Sequence, residues 1–207
     1  VDCHQCRSHC QTAQSPKSRW WHWRQKKTAP SLVLPDTLSK IALVGMPNVG
    51  KSALFNALTG RYVTVSNYPG TTVEVSRGQA TIGDRPVLIV DTPGMYSLLP
   101  ITEEERVARD MLLSTPVSLV IHVVDAKNLG RMLPLTFQLI EAGLPVLLVL
   151  NMMDEVRQLQ IQIQIDHLQQ ELGIPVMATA AATHFGIREL KAKIATYVDA
   201  PVLSPAY

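Results

Sequence analysis

The sequence predicts an α/β fold: a six-stranded, mostly parallel sheet with one antiparallel strand, flanked by about five helices. Three observations carry this prediction. From Lys40 onward, short apolar runs alternate with segments of helical period, the texture of a parallel sheet wrapped by helices. A glycine-bearing loop, Gly45 to Ser52, joins the first apolar run to the first helical segment. Gly83-Asp84 separates two half-alternating runs, which argues a hairpin and hence one reversed strand.

The elements follow in order. The first strand is Lys40 to Val44, and the helix after it runs from Lys51 to Thr59, with Gly60 as its stop. Thr72 to Ile82 and Val87 to Val90 form the hairpin around Gly83-Asp84. Further strands are expected at Leu119 to Val124, Val146 to Leu150 and Val176 to Ala178. Helices are expected at Glu103 to Leu113, Met132 to Ala142, Asp166 to Leu172 and Ile187 to Val198, and the stretch Gln158 to Gln170 carries a helix and connecting loop. Residues 1–38 lack a sustained apolar period and read as a flexible tail, 39–200 as the folded domain, and 201–207 as the start of a linker.

Composition excludes more than it selects. A chain of 207 residues with 46% hydrophobic residues can bury a core without disulfides or a structural metal. The net charge of +2 gives no footprint for nucleic acid, and none is expected as a partner. Cys3, Cys6 and Cys10 all precede the folded body, so no disulfide framework supports it and a reducing cytoplasm fits. No apolar run reaches the eighteen or so residues of a membrane helix. The chain starts at Val1 without a secretion signal, and it reads as a soluble piece of a longer product.

Three motifs carry chemistry. Gly45-Met46-Pro47-Asn48-Val49-Gly50-Lys51-Ser52 has the two glycines, Lys and Ser of a phosphate loop, placed between a strand and a helix. There backbone N–H groups and the positive end of the helix favour phosphate. Lys51 would reach the β- and γ-phosphates and Ser52 would bind Mg²⁺; Gly45, Asn48, Val49, Gly50 and Ala53 complete the expected contacts. Asp91-Thr92-Pro93-Gly94 ends an apolar run, where strand C-termini border the ligand crevice. Asp91 can hold Mg²⁺ through water, and the Gly94 N–H can meet the γ-phosphate. An isolated Asp before Pro-Gly is more often a turn former; about forty residues after a phosphate loop the balance reverses. Asn151-Met152-Met153-Asp154 ends another strand. Asp154 can accept from the N1–H and exocyclic amine of guanine, a donor pair that adenine lacks, while Asn151 braces the site; helix capping is the alternative for either residue.

In this order the motifs resemble the P-loop GTPase superfamily, over residues 38–198. Asn67-Tyr68-Pro69-Gly70-Thr71-Thr72-Val73-Glu74, Val90-Asp91-Thr92-Pro93-Gly94-Met95-Tyr96-Ser97-Leu98 and Glu104-Glu105-Arg106-Val107-Ala108-Arg109-Asp110 are similar to the two switches of the bacterial ferrous iron transport protein B family. Val123-Val124-Asp125-Ala126-Lys127-Asn128-Leu129 and the guanine motif, with Met152 where Ras-like proteins carry Lys, resemble the same family. The resemblance implies that Thr72 is the switch I threonine, binding Mg²⁺ and the γ-phosphate in the triphosphate state. It also implies that Ala180-Ala181 is the base-side loop, with the Ala181 N–H on guanine O6; Ala180 and Ala182 lack the polar side chains common there, so nucleotide hold is expected to be weaker. Asn48 matches an Asn that helps bind K⁺ in part of the superfamily, with turn formation as its bland alternative. Met95 stands where Ras-like proteins keep a water-orienting Gln, so slow turnover is expected, little changed by Met95→Ala.

The family resemblance further implies GTP/GDP, Mg²⁺ and K⁺ as cofactors and a place on the cytoplasmic face of the bacterial inner membrane. The implied partners are the membrane-embedded iron-permeation part of the same protein, small cytosolic accessory proteins and further copies of the chain. Cys3, Cys6 and Cys10, with His4 and His9, could make a Cys/His metal site. They crowd into one short stretch rather than two separated ligand pairs, which favours a plain tail. The Trp20 to Lys27 segment is aromatic and basic, suiting a membrane surface, a partner or the body itself. Two other classes remain at this level: a free-standing regulatory or ribosome-assembly GTPase, and a nucleotide-binding module with negligible turnover.

Overall fold

The computed structural model describes residues 38–59 and 63–198. The elements are β1 (Ser39–Val44), α1 (Lys51–Leu58), β2 (Val63–Asn67), β3 (Glu74–Ile82), β4 (Arg85–Asp91), α2 (Glu103–Leu113), β5 (Leu119–Asp125), α3 (Leu129–Glu141), β6 (Val146–Asn151), α4 (Met153–Gln158), α5 (Ile165–Leu172), β7 (Val176–Ala178) and α6 (Ile187–Val198). One sheet runs β2-β3-β4-β1-β5-β6-β7. β4, β1, β5, β6 and β7 pair in parallel, and β3 is antiparallel to both its neighbours. The reversed strand is therefore the one that Gly83-Asp84 announces.

The sheet has seven strands rather than the expected six. The addition is β2, an edge strand whose Val63 and Val65 are 44% and 56% exposed. It buries no apolar face and is held by its backbone ladder to β3, so hydrophobic pattern does not mark it. A sixth helix, α4, was also unexpected; it is a six-residue, mostly polar turn entered through Met152 at φ 62. β3 starts at Glu74 rather than Thr72, because residues 68–73 fold into a turn. There Tyr68 N–H donates to the Val73 carbonyl (2.8 Å) and the Thr71 hydroxyl to the Tyr68 carbonyl (3.0 Å). α3 begins at Leu129, ahead of the expected Met132, since the 3-10 turn Ala126–Asn128 runs straight into it. The Gly60 stop, the 1–37 tail with its Cys and Trp clusters, and Pro201 to Pro205 lie outside the described residues.

Helices on both sheet faces explain why the central strands are apolar without alternation. Ile41 and Leu43 of β1 face the layer holding Leu54, Leu58, Leu190 and Ile194. Ala42 and Val44 face the other, with Met95, Ala108, Leu112, Leu135 and Leu139. His122 of β5 is wholly buried, its Nδ1 3.0 Å from the Thr136 hydroxyl oxygen of α3, while its Nε2 has no partner among the described residues. Burial pushes its pKa down to about 3, so it sits in the core as a neutral side chain. No described helix is long and apolar enough to cross a membrane.

Candidate functional site

β1 delivers the chain into the loop 45–50, and α1 begins at Lys51. α1 has no side-chain cap and no acidic residue in its first turn, so its first amides are left for an anion. Gly50 sits at φ 80, and a Cβ there would collide with the Asn151 amide. Asn48 is also left-handed, at φ 64, and exposed; Asn tolerates that region better than most residues. A cavity of about 340 Å³ is lined by Met46, Pro47, Asn48, Gly50, Lys51, Ser52, Ala53 and Gly94. Gly45 and Val49 do not line it. Gly45 accepts the Met95 N–H on its carbonyl (3.1 Å), and Val49 is buried beneath the loop.

β4 lies beside β1 with Asp91 level with Leu43, which brings the second motif to the loop. Lys51 Nζ donates to Asp91 Oδ1 (2.5 Å) and to the Thr92 carbonyl (2.5 Å), and the Ser52 hydroxyl donates to Asp91 Oδ2 (3.0 Å). The Thr92 hydroxyl anchors the turn on the Leu43 carbonyl (2.8 Å). Gly94 packs on Pro47 so closely that a Cβ would lie 2.9 Å from Pro47 Cγ; only glycine lets the two loops close on each other. Thr72 is not part of this assembly. It is exposed in the bend before β3 and does not line the cavity.

Beyond Gly94 the chain is tied to α2. Glu105, 6% exposed, completes a capping box with Thr102 and accepts from the Tyr96 (3.1 Å) and Ile101 (2.8 Å) amides. The Ile101 bond foremost, with those of Tyr96 and Thr102, holds its carboxyl below the usual range against the opposing effect of burial. Met95 is 0% exposed and packed among the residues of α2 and α3. It is a core side chain, so Met95→Ala is expected to lower stability by about 2–4 kcal/mol in urea denaturation. Turnover per folded molecule should stay within about threefold of wild type. Unchanged stability would contradict this packing.

The base-side segments converge on Asn151, which is 2% exposed at the end of β6. Its Nδ2 donates to the Val49 carbonyl (3.0 Å), and its Oδ1 accepts from the Thr179 hydroxyl (3.2 Å) and the Ala181 N–H (3.0 Å). One amide thus joins the phosphate loop to the loop after β7. Met152 lies across Gly50, its Cε 3.6 Å from where a Cβ would stand. Asp154 follows in the first turn of α4, with no hydrogen-bond partner among the described residues. Lys127 pairs with Glu155 beside it and lies 3.9 Å from Asp125 Oδ2.

Ala180 exchanges backbone bonds with Phe185 (3.1 and 3.2 Å), and the Ala181 N–H is engaged by Asn151. Both amides are thus bonded within the chain in this structure. Ala182 is exposed in the 3-10 turn Ala181–Thr183, and its N–H has no backbone or side-chain acceptor among the described residues. Three consecutive alanines offer no side-chain signal of which amide faces outward. Arg157 of α4 stacks over the Phe185 ring, 4.1 Å from its centroid, tying this loop to the helix that bears Asp154. Cys3, Cys6 and Cys10 lie outside the described residues.

The sequence profile of the family described as "Ferrous iron transport protein B" matches residues 39–194. The chain belongs to that family. It is 44% identical over 161 residues to the Fe(2+) transporter FeoB of Escherichia coli K12, a match spanning 76% of this chain and 21% of that relative. Among solved structures it is similar to the G domain of the T. maritima FeoB iron transporter, with TM-score 0.73, 41% identity and coverage of 78% of this chain and 99% of that one. The cytosolic domain of the same transporter in its GMPPNP form matches with TM-score 0.76 and 39% identity, over 82% of this chain and 69% of that one. The fold of this chain is that of a G domain, and family membership sets aside the ribosome-assembly reading.

Proposed function

We propose that this chain is the GTP-binding, GTP-hydrolysing domain of a ferrous iron transporter, a switch whose nucleotide state regulates iron uptake from the cytoplasmic face of the bacterial inner membrane. The observation that carries it is the assembly of Lys51, Ser52 and Gly94 around one cavity, with Asp91 bonded to both Lys51 and Ser52 and the loop joined through Asn151 to the segment after β7. In this reading residues 39–200 are the catalytic domain. The partners are the membrane-embedded iron-permeation part of the same protein, small cytosolic accessory proteins and further copies of the chain.

The residues do the work by position. The α1 amides and Lys51 take the phosphates, Lys51 exchanging its Asp91 contact for the β- and γ-oxygens. The Gly94 N–H meets the γ-phosphate, and Thr72 closes over it from its exposed bend, so that both loops report the third phosphate. The hydroxyl of Ser52 and the carboxylate of Asp91, 3.0 Å apart, form a hard-oxygen pair suited to Mg²⁺, with Thr72 as a further ligand. Asn48, exposed on the cavity wall, supplies an amide oxygen for K⁺. Bound there, Mg²⁺ and K⁺ would supply the positive charge that stabilises the transferring phosphoryl group. On the base side Asp154 takes the N1–H and amine of guanine, and the Ala181 N–H, exchanging its Asn151 contact as Lys51 exchanges that to Asp91, takes O6 with the Ala182 N–H beside it.

Phosphate release from GTP in K⁺ against Na⁺ buffer tests this. Release several-fold faster in K⁺ is expected, abolished as a difference by Asn48→Ala. Equal rates would remove Asn48 from the mechanism. Absence of release in both buffers would favour a nucleotide-regulated binding module, the reading that the core position of Met95 supports, since a thioether buried there can orient no water.

A further inference from the structure

The segment after Gly94 is held by side chains from two helices. Glu105 of α2 takes the Tyr96 and Ile101 amides as part of its own helix cap. The other is Gln138 of α3, forty residues away in sequence, whose Oε1 accepts from the Leu98 N–H (2.7 Å) and from the Ser97 hydroxyl (3.2 Å). Ser97 in turn accepts the Leu99 N–H on its hydroxyl oxygen (3.0 Å). Gln138 rides on a rigid element, for Leu135 and Leu139 on either side of it are 0% exposed. Leu98 packs against the same buried cluster as those two leucines and Met95.

We propose that Gln138 is a positioning residue for GTP hydrolysis, its side-chain oxygen fixing Ser97 and Leu98 and through them the position of Gly94 against the γ-phosphate. This rests on the GTP-hydrolysing reading of the site. Both bonds end on the carbonyl oxygen, and the amide nitrogen has no partner among the described residues, so the chemistry required is that of an acceptor. Without it the Leu98 N–H is left partly buried and unpaired, and the segment gains conformations in which Gly94 stands back from the cavity. GDP has no γ-phosphate and is indifferent to that loss; a GTP analogue and the transition state are not.

The test compares wild type, Gln138→Met and Gln138→Glu in the full chain. Saturated phosphate release is read alongside the affinities for GDP and for a non-hydrolysable GTP analogue, with thermal melting as a check on folding. Gln138→Met is expected to lower kcat roughly tenfold and to weaken the analogue several-fold while GDP binds as before. Gln138→Glu, which keeps the acceptor, is expected to stay within about twofold of wild type. If Gln138→Met fails to fold, Ser97→Ala decides, with a loss of about two- to threefold in kcat expected at unchanged GDP affinity. Equal losses in the Met and Glu variants, a parallel loss of GDP affinity, or a wild-type kcat in Gln138→Met would each overturn the proposal. A wild-type chain that releases no phosphate would instead remove the hydrolysis reading itself.

Discussion

Asn151→Ala is expected to lower unfolding free energy by about 2–4 kcal/mol and GDP affinity by roughly a hundredfold or more. The side chain is almost fully buried and makes three hydrogen bonds, to the Val49 carbonyl, the Thr179 hydroxyl and the Ala181 N–H. Truncation leaves those groups facing a void, and each buried polar group without a partner costs about 1–3 kcal/mol, less than additively where the loops relax. Relaxation is itself damaging in the proposed reading, in which the two loops that Asn151 joins take the phosphates and the base. Gly50 also packs directly on this amide, so the left-handed turn that opens α1 loses its support. The check is thermal melting with and without GDP: a bound nucleotide stabilises the protein as the logarithm of its concentration over Kd, so at about a hundred times the wild-type Kd the rise in melting temperature should nearly vanish in the variant. Asn151→Asp keeps the shape but turns a carboxylate toward the Val49 carbonyl, and it should be affected about as severely. A variant that melts lower yet keeps its GDP-induced rise would reduce Asn151 to a core residue.

What the sequence disclosed follows from which interactions leave a periodic or motif signature. β1, β5, β6 and β7 are short apolar runs because both sheet faces are covered, and their positions follow from that pattern. The hairpin follows from Gly83, which takes φ 60. Lys51, Ser52, Asp91 and Gly94 were legible because phosphate binding needs these groups at strand ends in a fixed order, and the structure brings them together. β2 was illegible because it stands on backbone pairing alone. Gln138 was hidden for a related reason: it acts on a main-chain amide forty residues away, and a Gln on an amphipathic helix carries no sign of what it holds. Thr72 remains where motif and geometry differ, named by its motif and exposed in its bend.

Asp154→Asn is expected to exchange the base preference of the site. The wild-type carboxylate presents two acceptors, matching the N1–H and exocyclic amine of guanine. An amide presents one acceptor and one donor, so its NH₂ meets one of the two guanine donors and that pair repels. Xanthine carries a carbonyl oxygen in place of the amine and can accept from that NH₂. Discrimination by a site built to pair polar groups is large, and a fall in GDP affinity of about 10²- to 10³-fold, with XDP binding gained, is the expected scale. The structure gives this residue the fixity that such selectivity needs. Asp154 sits in the first turn of α4; that turn is held by the Met153 N–H on the Thr179 carbonyl (3.1 Å) and flanked by the Lys127–Glu155 pair. Glu155 and the neighbouring acids also raise the Lys127 pKa, keeping a cation beside a carboxylate that would otherwise stand in an acidic cluster. Competition of GDP, IDP and XDP against a fluorescent nucleotide measures the outcome. Wild type should rank GDP above IDP, which lacks the amine, and XDP last; the variant should bind XDP best. Retention of the wild-type ranking by Asp154→Asn would place the base against some other group and leave Asp154 as no more than the first turn of a helix.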